Sequence, residues 1–436
     1  MTDRADIPWK TLPSDLGEVP FYIVTFDKHG DCTSPAALDQ LVESSKTKTD
    51  VFVFSHGWNN DWEAATNRYD NFVERFLAVR QQHWQPPSRT FAPVLVGVVW
   101  PSAALVAPWE RGPDIAAAGI VDPELAALAD ELDPERKAAL LHIVSAPTAR
   151  GADDLADILA AALPAASDEV GGDADLLSPD DLRSVWQAVS DQDPTSPPRR
   201  PGGFIEQPGG EADVLVAPAA AGWNPLDKIR DAVRTTTVLL MKDRAGRVGG
   251  NGVNQMLHRL LNVGDARIAL VGHSYGAKVV LSAVSNGPAP SRKVDSVLLL
   301  QPALSCYAFA ADIDGHPGGY RPALDRVRLP ILTTYSQHDE PLTRFFHLAV
   351  RRKSDLGEAV IAAPGQPPSK FAALGGFGPH GVDGDVDHLP MPAVGTAYPQ
   401  ATGRRIVAID GTPYISSHGA VETPETAWAL LCQIQA

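Results

Sequence analysis

Between Arg267 and Val280 the chain reads RIALVGHSYGAKVV, and this stretch restricts the fold more than any other. Ile268 to Val271 form an unbroken apolar tetrad, the pattern of a strand covered on both faces, while Ala277, Val280, Leu281 and Val284 recur at helical spacing. Ser274 therefore sits on the turn that joins a buried strand to a helix. A turn that sharp strains the backbone of its central residue and leaves no room for side chains two positions before and two after it. Gly272 and Gly276 occupy those two positions. The reading is a nucleophilic serine presented on a strand-to-helix elbow.

A nucleophile of this kind needs two preset N–H donors for the oxyanion that its attack creates, one from the residue after it and one from a loop that follows another strand. Val51-Phe52-Val53-Phe54 is a second fully apolar strand, and it runs directly into Ser55-His56-Gly57-Trp58-Asn59-Asn60. Trp58 and Tyr275 are the expected amide donors. Gly57 would allow close backbone approach, and His56 is assigned to bracing the loop.

The rest of the chain supplies the alternation expected around such an elbow. Phe21–Phe26, Pro93–Trp100, Val294–Leu300, Leu329–Tyr335 and Arg404–Ile409 read as further strands, and Asp61–Gln82 as an amphipathic helix with Tyr69, Phe72, Phe76 and Val79 on one face. Strand, helix and apolar strand in succession imply an α/β architecture with a mostly parallel central sheet flanked by helices. Asp339 lies just past the strand ending at Tyr335, where a carboxylate is well placed to hold an imidazole N–H, with Asp410 as the second candidate. His418 follows the final strand and precedes the terminal helix that Thr423-Pro424-Glu425 opens, which makes it the expected general base. His380 and His388 are outside candidates for that role. His83, His142 and His258 fall on helical stretches, and His273 is expected to point away from the chemistry.

The alternation stops at Ala103. From there to Gly222 the sequence is rich in Ala, Pro and Asp, and carries 22 Asp and Glu against 7 Lys and Arg, a net −15 of the chain's −16. Asp122-Pro123-Glu124, Asp133-Pro134-Glu135 and Ser178-Pro179-Asp180 each place a capping side chain before a proline suited to a first helical turn. The expected organisation is a core formed by residues 1–102 and 223–436, interrupted at 103–222 by an acidic helical insertion that serves as a cap or lid. Within the insertion, Asp191–Gly210 reads as a linker. Asn224-Pro225 opens another helix, with a break expected at Gly249-Gly250.

So acidic a surface is unsuited to nucleic acid or to anionic membranes, and it favours neutral or cationic substrates. Three widely spaced cysteines, Cys32, Cys306 and Cys432, give neither a disulfide framework nor metal-ligand spacing. No apolar run approaches the roughly 20 residues that span a bilayer, and no apolar core of a secretory leader follows Met1, so a soluble cytoplasmic protein without a cofactor is expected. Asp383, Asp385 and Asp387 alternate in a glycine-rich loop, a weak calcium signal that lacks the spacing of a helix–loop–helix calcium site.

Taken together, GHSYG, SHGW, the acid after a late strand and the base before the last helix resemble the α/β-hydrolase superfamily. FSHGWNNDWEAA with VVWPS is similar to a group of bacterial serine hydrolases whose corresponding segment begins HGY-N and whose next strand ends in WPS. The resemblance implies an eight-stranded sheet, a Ser274-Asp339-His418 triad and an oxyanion hole from the Trp58 and Tyr275 amides. It implies no substrate. Cleavage of carboxylic esters is the expected activity, against acyl transfer on the same triad or a hydrolase-like fold that only binds.

Overall fold

A computed structural model describes residues 8–15, 17–84, 90–102, 123–145, 149–163, 178–190, 225–346, 370–382, 384–398 and 403–435. The chain forms β1 (Lys10–Ser14), β2 (Gly17–Thr25), α1 (Pro35–Ser45), β3 (Asp50–Ser55), α2 (Trp62–His83) and β4 (Pro93–Val99) before the acidic segment. That segment contributes α3 (Pro123–Ala129), α4 (Pro134–Ser145), α5 (Ala149–Ala160) and α6 (Pro179–Ser190). Then come α7 (Pro225–Val248), a π-helical turn (Gly249–Val253), α8 (Asn254–Val263), β5 (Arg267–His273) and α9 (Tyr275–Ser285). The chain closes with β6 (Ser296–Leu300), α10 (Ala323–Arg326), β7 (Ile331–Tyr335), a second π-helical turn (Pro341–Phe345), α11 (Leu374–Phe377), β8 (Val386–Pro390), β9 (Ile406–Asp410) and α12 (Pro424–Gln435).

The strands make one nine-stranded sheet in the order β1-β2-β4-β3-β5-β6-β7-β9-β8. Every pairing is parallel except β1 with β2. All seven anticipated strands are present. The eight-strand expectation is corrected to nine, because β1 and β8 were not anticipated. Both are edge strands of five residues, and each contains a proline, Pro13 or Pro390. Proline inside a short run argues against a strand, and here the neighbouring backbone supplies what local propensity does not.

Period-two burial explains why the central strands read as solid apolar runs. Val51 and Val53 of β3, and Val94, Val96 and Val98 of β4, enter the core on one face, while Phe52, Phe54 and Leu95 enter that on the other. Helices α2 and α12 cover the second face, with Phe72, Phe76, Trp428 and Leu431 between them. On the first face lie α1, α7, α8 and α9. Leu125, Leu128, Leu140, Leu155, Leu159 and Leu182 of the acidic segment join the same cluster, so the described helices of this segment share a core with the sheet.

Local chemistry sets the helix starts. The Asp61 side chain accepts the Ala64 N–H at 2.8 Å, Asp133 accepts that of Arg136 at 2.9 Å, and Ser178 and Asp181 cap one another reciprocally. Asp122, Asn224 and the Asp191–Gly210 segment lie outside the described residues. No break separates α7 from α8. Instead the turn Gly249–Val253 widens the helix by one residue, and a Cβ at Gly249 would lie 2.3 Å from the Val279 carbonyl oxygen of α9. Glu131, just past α3, is anchored by Arg244 of α7, which also donates to the Pro101 carbonyl at 3.1 Å. Among the described residues no helix is long and apolar enough to cross a membrane.

Candidate active site

Ser274 lies at the carboxyl end of β5 with φ 55° and ψ −123°, a conformation that side chains other than glycine's rarely adopt. Both sides of its peptide are fixed. The Ser274 N–H donates to Leu300 O at 3.1 Å, and the Ala303 N–H donates to Ser274 O at 3.2 Å. The flanking glycines are needed for close approach: a Cβ at Gly276 would stand 2.1 Å from Ser55 O, and one at Gly272 would stand 2.6 Å from the Ala277 Cα. The elbow therefore packs directly against the end of β3.

His418 links the two groups on either side of it. Its Nε2 lies 2.8 Å from Ser274 Oγ and its Nδ1 2.8 Å from Asp339 Oδ2. Asp339 is fully buried in the turn after β7, where its Oδ1 also accepts the Leu342 N–H at 3.0 Å. Since a carboxylate only accepts, Nδ1 carries the proton and Nε2 is the acceptor for the serine hydroxyl. An imidazole so held can withdraw the hydroxyl proton as the oxygen attacks an electrophile. Asp410 ends β9 and accepts the Thr412 N–H at 3.0 Å; it is Asp339 that meets His418. The loop carrying His418 is tied down by Ser336 Oγ to Ile415 O at 2.8 Å and by the Gly411 N–H to Tyr335 O at 2.8 Å.

The loop after β3 lies against the nucleophile. A Cβ on Gly57 would fall 2.6 Å from the Ser274 Cβ. The Gly57 carbonyl accepts from His56 Nδ1 at 2.9 Å and from Asn60 Nδ2 at 3.2 Å. Because a trans peptide points its N–H opposite to its carbonyl, the Trp58 N–H faces away from these buried partners, and it has no acceptor among the described residues. Tyr275 opens α9, so its N–H belongs to the first turn, where amides point out of the helix. Its hydroxyl reaches Val238 O on α7 at 3.1 Å.

Two buried imidazoles brace this arrangement in their neutral forms. His56 Nε2 accepts the Trp100 N–H at 3.3 Å, which leaves the proton on Nδ1. Its ring stacks on Trp100 with centroids 5.5 Å apart. Burial pulls its pKa down to about 4, against a smaller upward pull from the Gly57 carbonyl. His273 lies against His418, with its Nε2 2.9 Å from the His418 carbonyl oxygen and the two ring centroids 5.1 Å apart. Burial foremost, then the charge of Arg68, holds its pKa well below the ordinary histidine value.

Comparison of the chain with protein-family models, with curated proteins and with solved structures gave no match.

Several residues that complete the site were not singled out in the sequence. Arg68, on α2, donates to Asn60 Oδ1 at 3.1 Å, to Gly419 O at 3.3 Å and to Glu422 at 3.1 Å, and so joins the Gly57 loop to the His418 loop. Ser102 accepts the Asn60 N–H at 3.2 Å and donates to Asn60 O at 3.0 Å, which gives the serine of the WPS sequence a bracing role. Gln301 donates to Asp339 Oδ2 at 2.9 Å. A polar residue followed by proline at the carboxyl end of an apolar strand was the available signal for Gln301, whereas an arginine on the polar face of an amphipathic helix gives none.

The remaining candidates lie elsewhere. His380 Nε2 is 3.2 Å from Phe377 O, and His388 lies on β8 beside the Tyr335 ring. Asp385 pairs with Arg321 and Asp387 with Arg404, while Asp383 lies outside the described residues. Among the described residues no group of three His, Cys, Asp or Glu side chains is placed to hold a metal ion.

Proposed function

We propose that this protein is a serine hydrolase of the α/β-hydrolase type that cleaves carboxylic esters through an acyl-enzyme on Ser274. The observation that carries this reading is the unbroken relay in which His418 lies 2.8 Å from Ser274 Oγ on one side and 2.8 Å from Asp339 on the other.

In the proposed reaction His418 Nε2 takes the Ser274 proton as Oγ bonds to the ester carbonyl carbon. Asp339 keeps the tautomer of His418 and stabilises the imidazolium. The Trp58 and Tyr275 amides hold the oxyanion. Collapse of the tetrahedral species breaks the carbon–oxygen bond to the alcohol, which leaves with the proton carried by His418. Water, deprotonated by His418, then attacks the acyl-enzyme, and release of the carboxylate restores Ser274. The acidic segment acts as a cap over the acyl-binding side of the site, and its charge favours neutral or cationic esters over anionic ones. Supporting this role, Glu131 anchors the segment to Arg244 of α7, six residues beyond Val238, whose carbonyl receives the Tyr275 hydroxyl.

The test is covalent labelling with a fluorophosphonate, together with hydrolysis of p-nitrophenyl butyrate, in the wild type, Ser274→Ala and His418→Ala. The expected result is labelling and turnover in the wild type, with turnover reduced by about 10⁶-fold in either variant. Turnover that survives in Ser274→Ala would sink the mechanism.

A further inference from the structure

Gln301 is the first residue after β6, is fully buried, and has φ 45°, which places a long side chain in the left-handed region. Such strain persists only where the surroundings hold it. Here the same turn makes two connections at once. Its backbone neighbours grip the nucleophile, because Leu300 O accepts the Ser274 N–H and the Ala303 N–H donates to Ser274 O. Its side chain grips the acid, because Gln301 Nε2 donates to Asp339 Oδ2 at 2.9 Å, the same oxygen that lies 2.8 Å from His418 Nδ1.

The remaining bonds leave the amide one orientation. The Gln301 N–H donates to Thr334 Oγ1 at 2.9 Å, so the Thr334 hydroxyl proton is free to go to Gln301 Oε1, 3.0 Å away. Nε2 then spends its two protons on Asp339 and on Gly375 O at 3.0 Å. A flipped amide would set its oxygen against two acceptors, the Gly375 carbonyl and the Asp339 carboxylate. Every donor and acceptor of this buried amide has a partner, and one partner is the oxygen on which the imidazole depends.

We infer that Gln301 is a positioning residue for the proton relay, acting through Asp339 on His418. By sharing Oδ2 with the imidazole it fixes the carboxylate plane and moderates the pull of that oxygen on the His418 proton. The inference rests on the Ser274-His418-Asp339 reading of the site, and it adds a fourth member that touches neither substrate nor nucleophile side chain.

The variant is Gln301→Met, close in volume and without the donor. Two quantities are read: the titration of His418 in the resting protein, by NMR of labelled histidine assigned through its loss in His418→Ala, and the pH dependence of ester hydrolysis. With Oδ2 left to the imidazole alone, His418 is expected to titrate higher by about one unit, and the acid limb of kcat/KM to move with it. On the plateau kcat falls by about ten- to a hundredfold, the rate equivalent of one lost hydrogen bond to a charged group, while KM changes little. Thr334→Val keeps the amide but removes the hydroxyl that orients it, and should move both quantities in the same direction by less; it decides the matter if Gln301→Met does not fold. A His418 titration and a kcat unmoved in the folded variant would overturn the inference. Because the NMR titration needs no turnover, its outcome stays distinct from a failure of the hydrolase reading, which is judged by Ser274→Ala.

Discussion

The two ends of the central strands are built on different principles. At their amino ends charges meet in partly solvated pairs: Asp295 accepts the Ile268 N–H at 2.9 Å and pairs with Arg328 at 3.0 Å and Arg292 at 3.5 Å, and the Arg328 side chain is 43% exposed. At their carboxyl ends the backbone is strained and the polar groups are buried. Of the four described non-glycine residues with positive φ, Asn59, Ser274 and Gln301 follow β3, β5 and β6, and only Asp314 lies elsewhere. Water can replace a lost partner at the amino ends and has little access at the other. The contrast separates the end of the sheet that tolerates change from the end that is specified bond by bond.

Four substitutions would break or sharpen this contrast. The largest effect is expected for Asp339→Asn, which keeps the shape but presents an N–H where His418 needs an acceptor; kcat should fall by about 10⁴-fold, measured with the ester assay at saturating substrate. Gly57→Ala comes next. Its new Cβ would stand 2.6 Å from that of Ser274, so the loop must retreat and carry the Trp58 amide with it. Steady-state kinetics should show a loss of about 10²- to 10³-fold in kcat, the cost of one oxyanion donor.

A third test concerns pH. The pKa of His56 falls from 6.5 in the unfolded chain to about 4 in the folded protein, so between these values the unfolded state binds more protons. Stability present above pH 6.5 is therefore lost as the pH drops toward 4, by about 3 kcal/mol for this group. His273 acts in the same direction. Denaturant unfolding across this window should show a slope that His56→Phe reduces by about one proton. The smallest effect is expected at the other end of the sheet, where Arg328→Ala should cost under about 1 kcal/mol and leave kcat unchanged. A large loss of activity in that variant would erase the distinction between the two ends.

What could be read from the sequence follows the same division. The elbow, the glycine loop after β3, and the residues Asp339 and His418 were legible because each is fixed by short-range requirements: a glycine where a Cβ would collide, a carboxylate or histidine just past a strand. Gln301 and Arg68 act through partners 38 and 354 residues away in the chain; the only local mark is the proline that follows Gln301 at the end of an apolar strand, and Arg68 has none. The edge strands were missed for a related reason. Lys10–Ser14 and Val386–Pro390 have weak strand character and become strands only beside β2 and β9. The π-helical turn at Gly249 was read as a break because glycine in a helix usually is one; here its missing side chain admits the Val279 carbonyl of α9.

Those same edge strands bear on how the protein behaves at high concentration. Among the described residues no strand pairs with the outer side of β1 or of β8, and an edge left unpaired is a template on which a second copy can add its own strand. Both flanks are short here. One carries Lys10 and Pro13, the other Asp387 and Pro390, and a proline offers an incoming strand no N–H. Each flank thus combines charge with a gap in the ladder, so a sheet held together by such long apolar strands ends in borders that resist stacking edge to edge into fibres.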